Sequence, residues 1–418
     1  MNEKEIGLRD VGHRGLGLLK SGLQFFAMAA VFFAPSCYSQ SLDSLDIKIG
    51  QMIIIGLPKA EVDTAVLREV RMGKAGSIIL FEKNIPKSSS YAGLKKIVWT
   101  YQKAAPIPLF IAIDQEGGRV NRLKEKYGFP RSISANAMGR SKVLDSVQFY
   151  GEATAATLAG LGINVNFAPV VDLAVNADNT VIVKVERSFS KQEDTVVMMA
   201  KEFIKQHRKY RVVTVLKHFP GHGSSKEDTH YGMADVTNTW SERELKPYRA
   251  LLDSGYVDAI MTAHIVNKKL DTRGYPGTLS DKVIDSLLRK GMGYQGVIFS
   301  DDMQMNAISK QYGLEESIRL SINAGVDILC FSNNIQSSEE RTVDKVHGII
   351  RHFVETGEIT RARIEESYRR IMKLKSSINP TQDEEFRVQL NAAAAQIKIL
   401  KEEIEQLKNL ETKQKKKN

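Results

Sequence analysis

The feature that most constrains the fold of this chain is an alternation of short apolar segments with longer amphipathic ones between residues 41 and 376. Apolar strands that alternate with helices form parallel sheets, because each helical crossover returns the chain to the same edge. Eight strands are predicted, at 52–56, 77–82, 109–114, 164–168, 213–218, 259–264, 297–301 and 327–331. The helices predicted between them cover 62–72, 91–103, 146–161, 194–209, 242–254, 282–290 and 315–323. This pattern predicts an α/β fold, a (β/α)8 TIM-type barrel, with a doubly wound open sheet as the alternative.

Polar and charged residues recur where these predicted strands end. Asp114 ends the third strand, Lys217 and His218 end the fifth, His264 ends the sixth and Asp301 ends the seventh. The active sites of such barrels lie at the carboxyl ends of the strands. The sequence therefore predicts that these side chains share one site.

The segment 216–230, L-K-H-F-P-G-H-G-S-S-K-E-D-T-H, is the richest in titratable groups. It leaves an apolar strand, breaks at Pro220 and Gly221, and contains two lysines, three histidines and two acids. Loops after barrel strands are where catalytic groups are usually presented. We interpret the segment as part of a catalytic site, the alternative being a solvated loop with incidental histidines.

Four motifs carry a resemblance to a known family. They are D-Q-E-G-G-R-V-N-R at 114–122, the stretch 169–189 that ends in E-R-S-F, the segment 216–230, and G-V-I-F-S-D-D-M-Q-M at 296–305. Together they resemble glycoside hydrolase family 3, and most closely its NagZ-like β-N-acetylhexosaminidase branch. The resemblance runs from about residue 47 to 332.

The resemblance implies a retaining exo-β-N-acetylglucosaminidase that acts on glycans ending in GlcNAc, peptidoglycan fragments first and chitin-derived oligosaccharides second. Asp301 would be the nucleophile, with Asp302 as the fallback, and His230 the general acid/base, oriented by Asp228. The sugar would be bound by Asp114, Arg122, Arg187, Lys217 and His218. Retaining glycosidases need a carboxylate nucleophile and a proton donor on either side of the scissile bond, and a histidine titrates near neutrality. Neither a cofactor nor a metal ion is expected.

Three other functions stay open from the sequence alone. A β-glucosidase or other exo-β-glycosidase of the same family would keep the nucleophile. A metal-dependent amidohydrolase would use the histidines, although the chain lacks an H-x-H pair on its first strand and Pro220 and Gly221 separate His218 from His222. A non-catalytic cell-wall-binding protein would bind sugar without turnover. His222 is interpreted as holding its loop by hydrogen bonds, and His264 is as compatible with a structural role as with a place beside the ligand.

The N-terminal residues 1–39 are predicted to be a signal peptide. Basic residues precede an apolar stretch of about a dozen residues, which is shorter than the ~20 needed to span a bilayer. Export to the periplasm or cell envelope follows, with an anchored lipoprotein through Cys37 in A-P-S-C as the less favoured alternative and a start at Met28 as another. The two cysteines, Cys37 and Cys330, provide no disulfide framework.

Residues 40–378 are predicted to form the catalytic domain and 379–418 a long amphipathic helix with a basic tail. Leu390, Ile397 and Ile404 are spaced by sevens, as in a coiled coil, so the helix is predicted either to self-associate or to dock on the barrel. The net charge of +10 is spread among mixed acids and bases, and no aromatic residues accompany the terminal lysines. This pattern argues against nucleic acid as a partner.

Overall fold

Eight parallel strands close into a barrel in the computed structural model of this protein. The structure describes residues 44–141, 143–226, 232–334, 342–378, 395–406 and 408. The barrel strands are β1 (Ile53–Gly56), β2 (Ser77–Leu80), β3 (Phe110–Ile113), β4 (Val165–Asn166), β5 (Val213–Phe219), β7 (Ala259–Thr262), β9 (Val297–Asp302) and β10 (Ile328–Phe331). Their order around the barrel is β1-β10-β9-β7-β5-β4-β3-β2, and Ile53 of β1 lies opposite Leu329 of β10 where the sheet closes. The predicted (β/α)8 barrel is confirmed, and the open-sheet alternative is wrong.

Helices follow most of the strands on the outside of the barrel. They are α1 (Leu45–Gln51), α2 (Thr64–Arg71), α3 (Ser90–Ala104), α4 (Ala135–Ser141), α5 (Asp145–Leu161), α6 (Glu193–Lys209), α7 (Lys246–Asp253), α8 (Asn306–Ala324), α9 (Thr342–Glu355) and α10 (Arg361–Ile378). Short 3₁₀ turns lie at Glu82–Asn84, Glu125–Tyr127, Glu242–Leu245 and Gly277–Leu279, and Lys282–Gly291 is a π-helix. A separate two-stranded parallel sheet pairs β6 (Ala234–Asp235) with β8 (Ile265–Val266).

Two predicted helices differ from the observed ones. The single helix predicted at 242–254 is a 3₁₀ turn followed by α7, with Pro247 in the first turn, where its missing N–H costs nothing. The helix predicted at 315–323 is the second half of α8, which begins nine residues earlier. Gly313 has a non-helical backbone, with φ of 69°, and therefore interrupts the apolar periodicity that would have revealed the first half.

The interior of the barrel is filled by large apolar side chains. The ring of Phe299 lies 6.2 Å from that of Phe110 and 5.4 Å from that of Phe167, measured between centroids, and all three residues are buried. A filled interior leaves the strand ends as the place where polar groups can gather, which is how this fold separates its core from its site.

Residues 395–406 form a C-terminal helix that packs one face on the barrel's outer helices. Ile399 is 5% exposed, and Ala395 packs against the core that α3 and α5 share. Ile397, Leu400 and Ile404 lie on the exposed side, each about half accessible to solvent. Docking on the barrel, one of the two predicted alternatives, is therefore observed, and an apolar stripe remains uncovered among the described residues. No helix in the part of the chain that the structure describes is both long and apolar enough to cross a membrane.

Candidate active site

A cavity of about 270 Å³ opens at the carboxyl ends of the barrel strands. Six of the eight residues predicted to form the site line it: Asp114, Arg122, Arg187, Lys217, His218 and Asp301. The remaining two, Asp228 and His230, lie outside the described residues. The polar residues at the strand ends were predicted to share one site. This grouping is observed for Asp114, Lys217, His218 and Asp301, which line the same cavity.

Lys217 is the most deeply buried cation of this cavity. It belongs to β5, its side chain is 2% exposed, and its Nζ lies 2.8 Å from Oδ1 of Asp114 and 2.6 Å from Oε1 of Glu116. Burial alone would raise the pKa of Asp114, but the charges of Lys217 and Arg122 outweigh it and hold that pKa below its usual value. Both acids are therefore ionised, and the lysine bridges two strand ends.

Glu116 also fixes Arg187. The guanidinium Nε and Nη2 of Arg187 donate to the two carboxylate oxygens of Glu116 at 2.8 Å each, a bidentate pair with 11% and 4% of the two side chains exposed. Burial would raise the pKa of Glu116, but Arg187 and then Lys217 lower it well below its usual range. Sequence reasoning did not single out Glu116, although it lies inside the first motif. The sequence signal that could have identified Glu116 is its position two residues after Asp114, the acid that ends the third predicted strand.

Arg187 in turn defines the tautomer of His218. Its Nη2 lies 3.1 Å from Nε2 of His218, and because a guanidinium only donates, this ring nitrogen accepts. The proton is then on Nδ1, which donates to Oδ2 of Asp172 at 2.7 Å. The orientation of the His218 ring is therefore set from both sides.

Asp172 is a second residue that sequence reasoning did not find. Its side chain is fully buried, and its oxygens accept the backbone N–H of His218 at 3.2 Å and that of His222 at 2.8 Å, besides the ring of His218. Burial would raise its pKa, but its interactions with His218 and His222 bring it below the ordinary value. The sequence signal that could have identified Asp172 is its position at the end of the apolar run that follows β4.

The P-G-H-G segment after β5 is fixed by close packing. Gly221 has φ of 118°, and a Cβ built there would lie 2.5 Å from Cβ of Glu244, while one on Gly223 would lie 1.9 Å from the backbone oxygen of Leu173. Glu244 accepts the N–H of Gly223 at 2.8 Å, and burial raises the pKa of this carboxyl to about 7. Only glycine fits at these two positions without displacing the neighbouring atoms.

Asp301 and Asp302 differ sharply in their surroundings. Asp302 accepts hydrogen bonds from the hydroxyl and the N–H of Ser332 and from the N–H of Gln304, and burial raises its pKa to about 6. Asp301 lines the cavity at the end of β9, and its Oδ1 accepts the N–H of Asp302 at 2.8 Å. The cap position of α8 is Met305, so Asp301 does not cap the following helix. Both residues line the cavity, but the buried carboxylate of Asp302 is held by Ser332 and Gln304, whereas Asp301 is partly exposed there.

His264 is a structural residue. It is fully buried, its Nε2 lies 2.9 Å from the backbone oxygen of Asp302, and its Nδ1 lies 2.8 Å from the hydroxyl of Thr278. Since a carbonyl only accepts, Nε2 carries the proton and Nδ1 accepts. Both ring nitrogens are thereby used inside the protein, which favours the structural alternative. Met305 lines the cavity as an apolar wall.

Within the described ranges, no group of three or more histidine, cysteine, aspartate or glutamate side chains is arranged to hold a metal ion. The acids at the cavity are instead paired with Lys217, Arg122 and Arg187. The described part of the site is an array of alternating charges with Asp301 at its edge, suited to binding a polyhydroxylated ligand and to bringing it against a carboxylate.

Comparison with known proteins gives consistent matches. The model of the glycosyl hydrolase family 3 N-terminal domain matches residues 44–374. A β-hexosaminidase of Tolumonas auensis is 33% identical over 285 residues, which cover 68% of this chain and 83% of that protein. A family 3 β-N-acetylglucosaminidase structure from Paenibacillus sp. str. FPU-7 is similar with a TM-score of 0.74 and 30% identity, over 84% of this chain and 69% of that one. A β-N-acetylhexosaminidase structure from Beutenbergia cavernae matches with a TM-score of 0.71 and 25% identity, over 80% and 98%.

Proposed function

We propose that this chain, which belongs to glycosyl hydrolase family 3, is a β-N-acetylhexosaminidase. It removes terminal β-linked GlcNAc from the non-reducing end of glycans, with net retention of configuration at the anomeric carbon. The observation that carries the proposal is the convergence of Asp301 with Asp114, Arg122, Arg187, Lys217 and His218 on one cavity. The names of the similar proteins, β-hexosaminidase and β-N-acetylglucosaminidase, support the acetamido sugar over glucose.

In the proposed reaction, an oxygen of Asp301 attacks the anomeric carbon, and the bond to the aglycone oxygen breaks as that oxygen receives a proton. Water then attacks the same carbon, breaks the ester to Asp301, and loses a proton to the base. The proton donor and acceptor is His230, oriented by Asp228; these two roles rest on the resemblance of D-T-H at 228–230. His230→Ala should slow substrates with poor leaving groups more than those with activated ones, and equal losses on both would contradict the role.

Sugar binding is assigned to the charged array. Lys217, Arg122 and Arg187 each offer donors, and Asp114 offers acceptors, within a cavity where each group is already oriented by a partner. A pre-oriented group loses little entropy when it binds a hydroxyl. His218, fixed between Arg187 and Asp172, presents its ring at the wall of the same cavity.

The deciding measurement is turnover of an aryl β-N-acetylglucosaminide beside the matching aryl β-glucoside, each with and without chelator. We expect strong preference for the acetamido sugar and no effect of the chelator. Activity on the glucoside alone would keep the nucleophile and move the substrate class. Activity that disappears with chelator would favour the metal-dependent alternative, and binding without turnover would favour a cell-wall-binding protein.

The natural substrate proposed is a peptidoglycan fragment that ends in GlcNAc, with chitin-derived oligosaccharides second. Release of GlcNAc from both, compared at equal concentration, distinguishes them.

The proposed location is the periplasm or cell envelope, because residues 1–39 have the order of a signal peptide. These residues lie outside the described part, and sequencing the N-terminus of the exported protein would test cleavage.

The C-terminal helix is proposed to pair with a second copy of this chain. Ile397, Leu400 and Ile404 follow the spacing of a coiled-coil seam and are about half exposed. Leu400→Glu should therefore lower the mass measured by light scattering, while Met72→Glu, at an exposed site elsewhere, should not. An identical mass for Leu400→Glu and the unmodified protein would contradict the pairing.

A further inference from the structure

His222, at the centre of the P-G-H-G segment, lies in the wall of the cavity. It is 2% exposed, and its ring packs edge-on against that of His218 with 5.8 Å between centroids. The function proposed above gives it no role, and its sequence context suggested only that it holds the loop.

One side of His222 does hold the loop. Its Nδ1 lies 2.6 Å from the hydroxyl of Ser225, its backbone N–H donates to Asp172, and its carbonyl accepts from Nδ2 of Asn179 at 2.8 Å. These contacts fix the ring on its backbone side. They do not account for the other nitrogen.

The other side of His222 is unsatisfied. Nε2 is buried and has no hydrogen-bond partner in the protein. A buried polar atom without a partner destabilises the fold, so native proteins retain such an atom mainly where a ligand or water completes it. Here the unsatisfied nitrogen belongs to a residue that lines the substrate cavity, next to His218, which is already assigned to the sugar.

The ring is neutral when the enzyme works. Burial lowers the pKa of His222 to about 4, and the nearby His218 adds to the shift, while Asp172 opposes it. Arg187 also disfavours a second positive charge there. This nitrogen therefore acts as an uncharged hydrogen-bonding group, for which a neutral polar partner is a good match.

We propose that Nε2 of His222 binds a hydroxyl of the terminal sugar and so contributes to recognition of the substrate. This inference rests on the proposed glycosidase function and adds a contact to it. A hydroxyl is the group that fits because Ser225 can either donate to Nδ1 or accept from it, which leaves Nε2 as donor or acceptor respectively. A hydroxyl satisfies both tautomers, whereas an amide carbonyl satisfies only one.

Two substitutions separate the two sides of the ring. His222→Asn keeps a polar group where Nδ1 meets Ser225 and removes the group at Nε2. His222→Gln places an amide near the position of Nε2. We expect kcat/KM on an aryl β-N-acetylglucosaminide to fall about tenfold or more in His222→Asn, mainly through KM, and to recover in part in His222→Gln. His352→Asn, the same change at an exposed histidine of α9, is the matched control and should retain wild-type kinetics.

Deoxy analogues of the substrate identify the contact. Removing the hydroxyl that meets Nε2 should lower kcat/KM about tenfold in the wild type and have little further effect in His222→Asn, while the other deoxy analogues lose equally in both. If every analogue loses equally in both proteins, or if His222→Asn has wild-type KM, the contact does not exist and His222 only holds its loop. Absence of wild-type turnover on the parent substrate is a separate result: it removes the proposed function, and this inference with it. Thermal melting of each variant verifies that it is folded.

Discussion

Replacing Asp301 with asparagine should lower kcat on an aryl β-N-acetylglucosaminide by on the order of 10⁴-fold or more, since the amide cannot form the glycosyl ester. The change is nearly isosteric, and Asp301 lies at the end of β9 on the cavity wall, outside the barrel core. The protein should therefore fold and bind substrate with a similar KM. Steady-state kinetics on substrates with activated leaving groups measure the effect.

The matched variant is Asp302→Asn, one residue along the same strand. Asp302 is held by Ser332 and Gln304, and its raised pKa of about 6 means that a neutral side chain is tolerated there. Its kcat should stay within about tenfold of wild type, because its carboxylate is engaged by Ser332 and Gln304 and is not the proposed nucleophile. A large loss in Asp302→Asn with an active Asp301→Asn would reverse the assignment. In Asp301→Ala, azide should restore turnover by attacking the anomeric carbon from the vacated side, which gives the α-glycosyl azide.

Replacing Glu116 with glutamine should weaken both folding and substrate turnover. Three donors from Arg187 and Lys217 meet its two oxygens, so the amide NH₂ of glutamine would face other donors. Breaking a buried ion pair costs about 3–5 kcal/mol, because the remaining charges lose their partner. We expect a fall of about that size in the free energy of unfolding at pH 7, and a fall of about 10²-fold in kcat/KM as Arg187 and Lys217 lose their orientation.

The dependence on pH separates this effect from a loss of packing. The pKa of Glu116 is lowered in the folded protein, so its stabilising contribution is complete above the unfolded value of about 4.5 and declines as the pH falls further. The difference in unfolding free energy between wild type and Glu116→Gln should therefore shrink below about pH 4.5. Glu316→Gln removes a bidentate carboxylate from Arg319 on the surface and should cost less than about 1 kcal/mol. A Glu116→Gln protein as stable and active as Glu316→Gln would show that the buried array is not needed.

The order of strands and helices could be predicted from the sequence, because a parallel barrel buries both faces of its strands and one face of its helices. The two kinds of element therefore have different hydrophobic patterns. The strands are mainly apolar until they end and the helices are amphipathic, so the alternation marks all eight units. The polar residue that ends a strand is equally visible, and this is how Asp114, Lys217, His218 and Asp301 were found. Where Gly313 interrupts α8, the same reasoning lost half a helix, since the periodicity stops although the chain continues as helix.

The barrel and the residues at its strand ends could be predicted from the sequence, because hydrophobic periodicity and strand termination are local properties. Tertiary structure alone decided the pairing of these residues. Glu116 meets Arg187 across 71 positions and Asp172 meets His218 across 46, distances in sequence that no local pattern spans. It also decided that the buried carboxylate of Asp302 is held by Ser332 while Asp301 is partly exposed at the cavity, and that one nitrogen of His222 is satisfied and the other is not. Hydrogen bonds and ion pairs depend on which groups are within about 3 Å, and only the folded chain defines that.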